Sequence, residues 1–124
     1  MADRSKIVLQ LSFGTCGLEV DESKRLVSTK LYGPATNTVY TRLTQPDTEI
    51  GWSEDYLNPY AYYSTQNGSR YHLWYEDARS VRAKVELARM FGIRNVSLWR
   101  LGTVPDYADE GLHFDVWGEL MTMR

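Results

Sequence analysis

The spacing of apolar residues changes from alternate positions to helical intervals at Glu76-Asp77, and this change constrains the fold more than any other feature of the chain. Before it, Pro59-Tyr-Ala-Tyr-Tyr-Ser-Thr65 and Ser69-Arg-Tyr-His-Leu-Trp-Tyr75 read as two aromatic-rich strands. Gln66-Asn67-Gly68 joins them, and Asn-Gly favours a hairpin because both residues accept positive φ. Along the second strand Tyr71, Leu73 and Tyr75 share one face, and Arg70, His72 and Trp74 share the other. After the change, Ala78, Val81, Val85 and Ala88 recur at helical spacing with support from Leu87 and Phe91, and predict a helix over 78–91. Asp77 is positioned as its N-cap, able to accept a bond from the N–H of Arg79 or Ser80. Gly92 follows as the C′ glycine, with Ile93 available for the hydrophobic contact beyond it. Asn95-Val-Ser-Leu-Trp99 then reads as a short buried strand.

The remaining segments are less regular. Lys6 to Phe13 reads as a strand ending at Gly14, and the continuous run Ile7, Val8, Leu9 predicts burial on both faces, as in a parallel sheet. Residues 18–50 read as small antiparallel strands, including Arg25 to Leu31 and Thr38 to Leu43, with turns at Gly33-Pro34 and Gln45-Pro46-Asp47. Beyond Gly102, residues 107–120 are expected to hold a final helix with Leu112, Val116, Trp117 and Leu120 on one face. The fold class is α+β: a small antiparallel sheet, one long helix, and two parallel strands at 6–13 and 95–99 that pair beside each other.

The 124 residues suit a single domain spanning 1–124. With 16 acids against 14 bases the net charge is −2, which does not suggest a nucleic-acid partner. The single cysteine, Cys16, excludes a disulfide within the chain and reads as a small buried residue beside Gly14 and Gly17. His72 and His113 lack ligand spacing, so no metal is expected. The first apolar run is too short for a membrane span or a signal peptide.

One stretch carries a family resemblance. Tyr71-His-Leu-Trp-Tyr-Glu-Asp-Ala-Arg-Ser80, continuing to Lys84 and then to Gly92-Ile-Arg-Asn-Val-Ser-Leu-Trp-Arg-Leu-Gly102, resembles the last barrel helix and strand of glycoside hydrolase family 18. It is most similar to the bacterial branch of spore cortex-lytic and related cell-wall enzymes. The resemblance implies that 6–13 corresponds to the seventh barrel strand and 18–75 to the insertion between strands seven and eight. Residues 77–124 then correspond to the last helix, the last strand and the C-terminal segment. The family tends toward Gly-x-Pro-x-Tyr-Gly at the end of strand seven, and the stretch from Lys6 to Gly14 lacks its first glycine, its proline and its tyrosine. A closed TIM barrel needs about 250 residues, so the chain is expected to form part of one and not to close it.

The resemblance also implies a chemistry. Family members are retaining, substrate-assisted glycosidases in which a glutamic acid protonates the leaving oxygen and the substrate's own N-acetyl group attacks. The Asp-x-x-Asp-x-Asp-x-Glu run that supplies this acid does not occur in the sequence. No catalytic residue is therefore assigned, and the chain alone is expected to be inactive. The implied partner is a glycan containing N-acetylglucosamine, such as chitin or peptidoglycan, with no cofactor. The rest of a barrel, or a second copy of the chain, would cover the open strand edges. Family members are secreted, cell-wall or spore-associated.

Trp99 matches the tryptophan that forms the floor beneath the cleaved sugar in the family, and it reads equally as core packing within a buried strand. Trp52, Tyr60, Tyr62, Trp74 and Tyr75 could form a sugar-binding wall, since pyranose C–H faces pack on flat apolar rings. Aromatic residues also stabilise hairpins by cross-strand pairing. Of the adjacent carboxylates, Asp77 is explained as a cap, while Glu54-Asp55 and Asp109-Glu110 read as solvated loop charges. His72 reads as an exposed or hydrogen-bonded strand residue. The alternative to a glycosidase portion is a stand-alone carbohydrate-binding or protein-interaction module.

Overall fold

The computed structural model describes residues 3–109 and 111–122. In chain order its strands are β1 (Val8–Ser12), β2 (Cys16–Val20), β3 (Leu26–Tyr32), β4 (Glu49–Ser53), β5 (Asn58–Ser64), β6 (Arg70–Trp74) and β7 (Asn95–Trp99). Its helices are α1 (Thr36–Leu43), α2 (Ala78–Met90) and α3 (Val116–Thr122). The fold is α+β, as the apolar spacing predicts, and the described residues form no closed barrel. The chain divides into two compact units, one of Met1–Phe13 with Asp77–Arg124 and one of Gly14–Glu76.

In the first unit β1 and β7 form a two-stranded parallel sheet, with Val8 opposite Asn95 and Ser12 opposite Trp99. Alternation turns Leu9, Leu11 and Phe13 to one face, where Leu11 and Phe13 are buried with Val81 and Val85 of α2, Val104 and Val116. Leu98, Trp117 and Leu120 close the edges of this core. The other face is open: Val8 is 53% exposed, so the run Ile7, Val8, Leu9 is covered on one side and not on both as expected. An apolar run alone does not distinguish a strand sandwiched between layers from one with a single covered face.

The ends of α2 follow the sequence reading closely. Ser80 N–H donates to Asp77 Oδ1 (2.9 Å), and Asp77 N–H donates to Ser80 Oγ (2.9 Å), forming a reciprocal capping box. Arg79 adds two bonds to Asp77 Oδ2, at 3.1 and 2.8 Å, so this fully buried carboxylate is paired. At the other end Gly92 has φ +76°. The N–H groups of Gly92 and Ile93 donate to Arg89 and Ala88 carbonyls, the two bonds of a Schellman motif.

The expected helix over 107–120 starts later. α3 begins at Val116, because Asp115 caps it by accepting from Gly118 N–H at 2.8 Å. The preceding segment instead folds back on itself through a bridge between Asp106 and Asp115. Phe114 is buried there and stacks on Tyr107, with centroids 5.7 Å apart. Asp109 is part-buried and accepts from Leu112 N–H at 3.1 Å, whereas Glu110 lies outside the described residues.

The second unit is a five-stranded antiparallel sheet in the order β3-β2-β6-β5-β4, together with α1. The segment Thr38 to Leu43, expected as a strand, is part of helix α1. Its two threonines, Thr38 and Thr41, and Val39 suit a strand by residue type. What decides the outcome is the four-residue spacing of Val39 and Leu43, which puts both on one helical face where both are buried. Arg42, one position before Leu43, lies over the Tyr63 ring at 4.4 Å. The Gln66-Asn67-Gly68 turn closes the β5–β6 hairpin as predicted, with one difference. Only Gly68 takes positive φ (+87°), while the Asn67 side chain accepts from Ser69 N–H (3.1 Å) and from the Thr65 hydroxyl.

Candidate carbohydrate-binding site

Cross-strand register decides which aromatic residues meet. Tyr62 lies opposite His72, and Tyr60 lies opposite Trp74. These four therefore share one face of the antiparallel sheet. Trp52 lies opposite Pro59, one residue out of phase, and Tyr75 follows Trp74, so both fall on the opposite face. Tyr75 is buried there and Trp52 is part-buried. The sheet thus brings Tyr60, Tyr62 and Trp74 together and separates Trp52 and Tyr75 from them. Trp99 belongs to the other unit.

The shared face is a column of rings. His72 stands between Tyr62 (4.4 Å between centroids, 38° tilt) and Trp74 (4.8 Å, 31°). Tyr60 closes the side, edge-on to His72 at 5.2 Å and to Trp74 at 5.3 Å. Its ring lies against the backbone of Gly51, where a Cβ would come within 2.5 Å of it, so a glycine at that position of β4 is what admits the ring. Lys24 Nζ caps the far end, 4.2 Å from the Tyr62 centroid. Tyr56 meets the outer side of Trp74 at 5.8 Å in a T-shaped contact.

The consequence for His72 differs from the expectation of an exposed or hydrogen-bonded residue. Its ring is half-buried among Tyr60, Tyr62 and Trp74, and among the described residues its buried Nε2 has no hydrogen-bond partner. Burial first, and the Lys24 charge second, hold its pKa below the ordinary 6.5. Burial also raises the Tyr62 phenol above its usual range, with Tyr60 and Glu49 adding to the effect. Sequence alternation identifies the His72 face, but the packing of its ring depends on β5 register, which alternation within β6 does not carry.

At the Tyr56 end the column borders an open groove of about 410 Å³. Tyr56, Asn58, Trp74, Glu76 and Cys16 line it. Cys16 is therefore part-exposed, not the buried filler expected, because β2 alternation turns it to the same face as its partner Trp74. Asn58 Nδ2 donates to Glu76 Oε1 and to the Tyr75 carbonyl, both at 2.9 Å. Nothing in the sequence pattern ties Asn58 to Glu76; they meet because β5 begins where β6 ends.

Trp99 ends β7 at the carboxyl edge of the parallel pair, opposite Ser12. Its side chain is 60% exposed on the face away from the core, so it is not the packed strand residue that one of its two readings required. Its carbonyl accepts from Phe13 N–H at 3.0 Å, and the peptide bond to Arg100 is cis. Among the described residues no group of three or more His, Cys, Asp or Glu could hold a metal ion, and no helix is long and apolar enough to cross a membrane.

A parallel strand pair with one amphipathic helix, and an antiparallel unit inserted between its strands, defines the class: the chain folds as part of a glycoside hydrolase family 18-like domain. It resembles the spore cortex-lytic enzyme SleL of Bacillus cereus with a TM-score of 0.73 and 19% identity, over 95% of this chain and 25% of that one. It also resembles a glycoside hydrolase family 18 N-acetylglucosaminidase from Paenibacillus barengoltzii (TM-score 0.67, 16% identity, 96% of this chain and 34% of that one). By sequence it is similar to di-N-acetylchitobiase of Rattus norvegicus, at 29% identity over 73 residues, which is 56% of this chain and 20% of the relative. The cortical fragment-lytic enzyme of Bacillus subtilis is 33% identical over 58 residues, 47% of this chain and 14% of the relative. The chain thus spans a fifth or less of these two curated relatives. No protein-family model matches it.

Proposed function

We propose that the chain is the carboxy-terminal portion of a glycosidase acting on N-acetylglucosamine polymers such as chitin or peptidoglycan, where it contributes to the sugar cleft without supplying the catalytic acid. The observation that carries this reading is the exposed indole of Trp99 at the carboxyl end of β7. In β/α barrels the ends of the strands on that side hold the active site. A flat apolar ring there suits the C–H face of a pyranose. The likeness to chitobiase and cortex-lytic enzymes supports the choice of substrate class.

Titration of the chain with tetra-N-acetylchitotetraose, followed by tryptophan fluorescence, tests it. Trp99→Ala should weaken binding about tenfold with the circular dichroism unchanged. Unaltered affinity would remove Trp99 from the site. The pure chain should not release reducing ends from chito-oligosaccharide or peptidoglycan; turnover would overturn the non-catalytic part of the proposal.

A second reading is a non-catalytic carbohydrate-binding module. It is favoured by the antiparallel unit, which buries its own Val39, Leu43, Ala61, Tyr63 and Leu73. Under this reading the affinity tracks Trp74→Ala and not Trp99→Ala.

A further inference from the structure

We propose that a second groove, between helix α1 and the β5–β6 turn, binds the carboxylate-bearing peptide stem of a peptidoglycan strand. Chitin, whose substituents are neutral, makes no such contact. The inference rests on the proposed function for the glycan strand itself, but it uses residues of the Gly14–Glu76 unit alone and does not involve Trp99.

The groove has a volume of about 660 Å³, and every side chain that lines it is polar. Helix α1 contributes Asn37 and Arg42, the turn before β4 contributes Gln45 and Asp47, and the hairpin contributes Thr65 and Gln66. A pyranose packs its C–H face on a flat apolar ring, and no ring is among the lining residues. A peptide instead presents N–H and C=O groups in turn, which side-chain amides and hydroxyls match. Gln45 is prepared for this: its Nε2 donates to the Thr41 carbonyl at 3.2 Å, which leaves its oxygen able to accept a peptide N–H.

Arg42 supplies the charge selectivity. Its guanidinium lies over the ring of buried Tyr63, 4.4 Å from the centroid. That stacking orients the guanidinium fork before a ligand arrives. Arg42 is part-buried and, among the described residues, belongs to no ion pair. A carboxylate accepts two parallel N–H bonds from such a fork, whereas a neutral N-acetyl group brings no charge to it. Asp47 lines the same groove and suits the ammonium of a diamino acid in the stem, so a peptide carrying both charges answers both lining groups.

Isothermal titration calorimetry with N-acetylmuramyl-alanyl-γ-glutamyl-lysine tests the assignment at about pH 7, where its carboxylates are ionised. Tetra-N-acetylchitotetraose is the neutral comparison. Amidating the carboxylates of the muramyl peptide leaves the protein unaltered and should weaken binding about tenfold. Arg42→Gln should weaken binding of the free acid by about the same factor and leave the affinity for chitotetraose unchanged. Lys30→Gln removes an exposed cation that does not line the groove and should change neither affinity. Muramyl peptide binding that survives amidation or Arg42→Gln would overturn the groove assignment and leave the proposed function standing. An equal loss in Lys30→Gln would also overturn it, as a general attraction of anions to the protein. So would displacement of the muramyl peptide by an equal concentration of succinate, which would mean a site for any carboxylate. Binding of chitotetraose alone would overturn the groove assignment and keep the proposed function, with chitin as its polymer. Binding of neither ligand would overturn both.

Discussion

His72 shows how one side chain can record a fold. Alternation along β6 puts it beside Trp74, β5 register puts it against Tyr62, and Gly51 lets Tyr60 close the remaining side. Partial burial favours the neutral imidazole, with the folded pKa below 6.5. The unfolded chain then binds more protons than the folded one between that lowered value and 6.5. Stability from this residue is complete above 6.5 and declines as the pH falls through that window. Urea unfolding of the protein at about pH 7.5 and about pH 5 should give a lower midpoint at the acidic value. His72→Phe keeps a ring in the column and removes the titration, so its midpoint should fall less over the same interval. Equal acid sensitivity in both proteins would show that other groups govern it.

Helix α2 shows what local chemistry can specify. Its apolar spacing, its capping box and its glycine terminator all lie within one short run, and each was legible in the sequence. Asp77→Ala removes the partner of Ser80 N–H and that of the Arg79 guanidinium together. The expected loss is about 2 kcal/mol, read as a lower denaturation midpoint at unchanged slope. Ser80→Ala breaks only the return half of the box and should cost about 1 kcal/mol. A loss below about 0.5 kcal/mol in Asp77→Ala would mean that packing on β1 and α3 holds the helix without its cap. Helix α1 is the counterexample. Thr36, Thr38, Val39 and Thr41 suit strands by type, and only the pairing of Val39 with Leu43 carries the helical signal. The candidate site divides in the same way. Trp74, Tyr60 and Tyr62 were identifiable from composition, whereas Trp52 and Tyr75 separate from them through the β4–β5 register and the alternation of β6. Asn58 and Glu76 meet only through tertiary pairing.

For the whole molecule the decisive feature is the parallel pair. Among the described residues β1 and β7 pair only with each other, so each keeps one unpaired edge. The face opposite the core carries Val8 and Trp99, which are 53% and 60% exposed. Open strand edges beside apolar surface are templates for further pairing. In the SleL structure the matched region is a quarter of a longer chain. For the chain by itself, a second copy is the available cover. Sedimentation velocity over rising concentration should therefore show reversible dimer formation. Val8→Lys sets a charge on the exposed face of β1, away from Leu11 and Phe13, and should shift the protein toward monomer while the circular dichroism stays unchanged. A monomer at the highest attainable concentration would mean that the twist and shortness of two five-residue strands protect their own edges. An unchanged dimer in Val8→Lys would move the contact to a different surface of the protein.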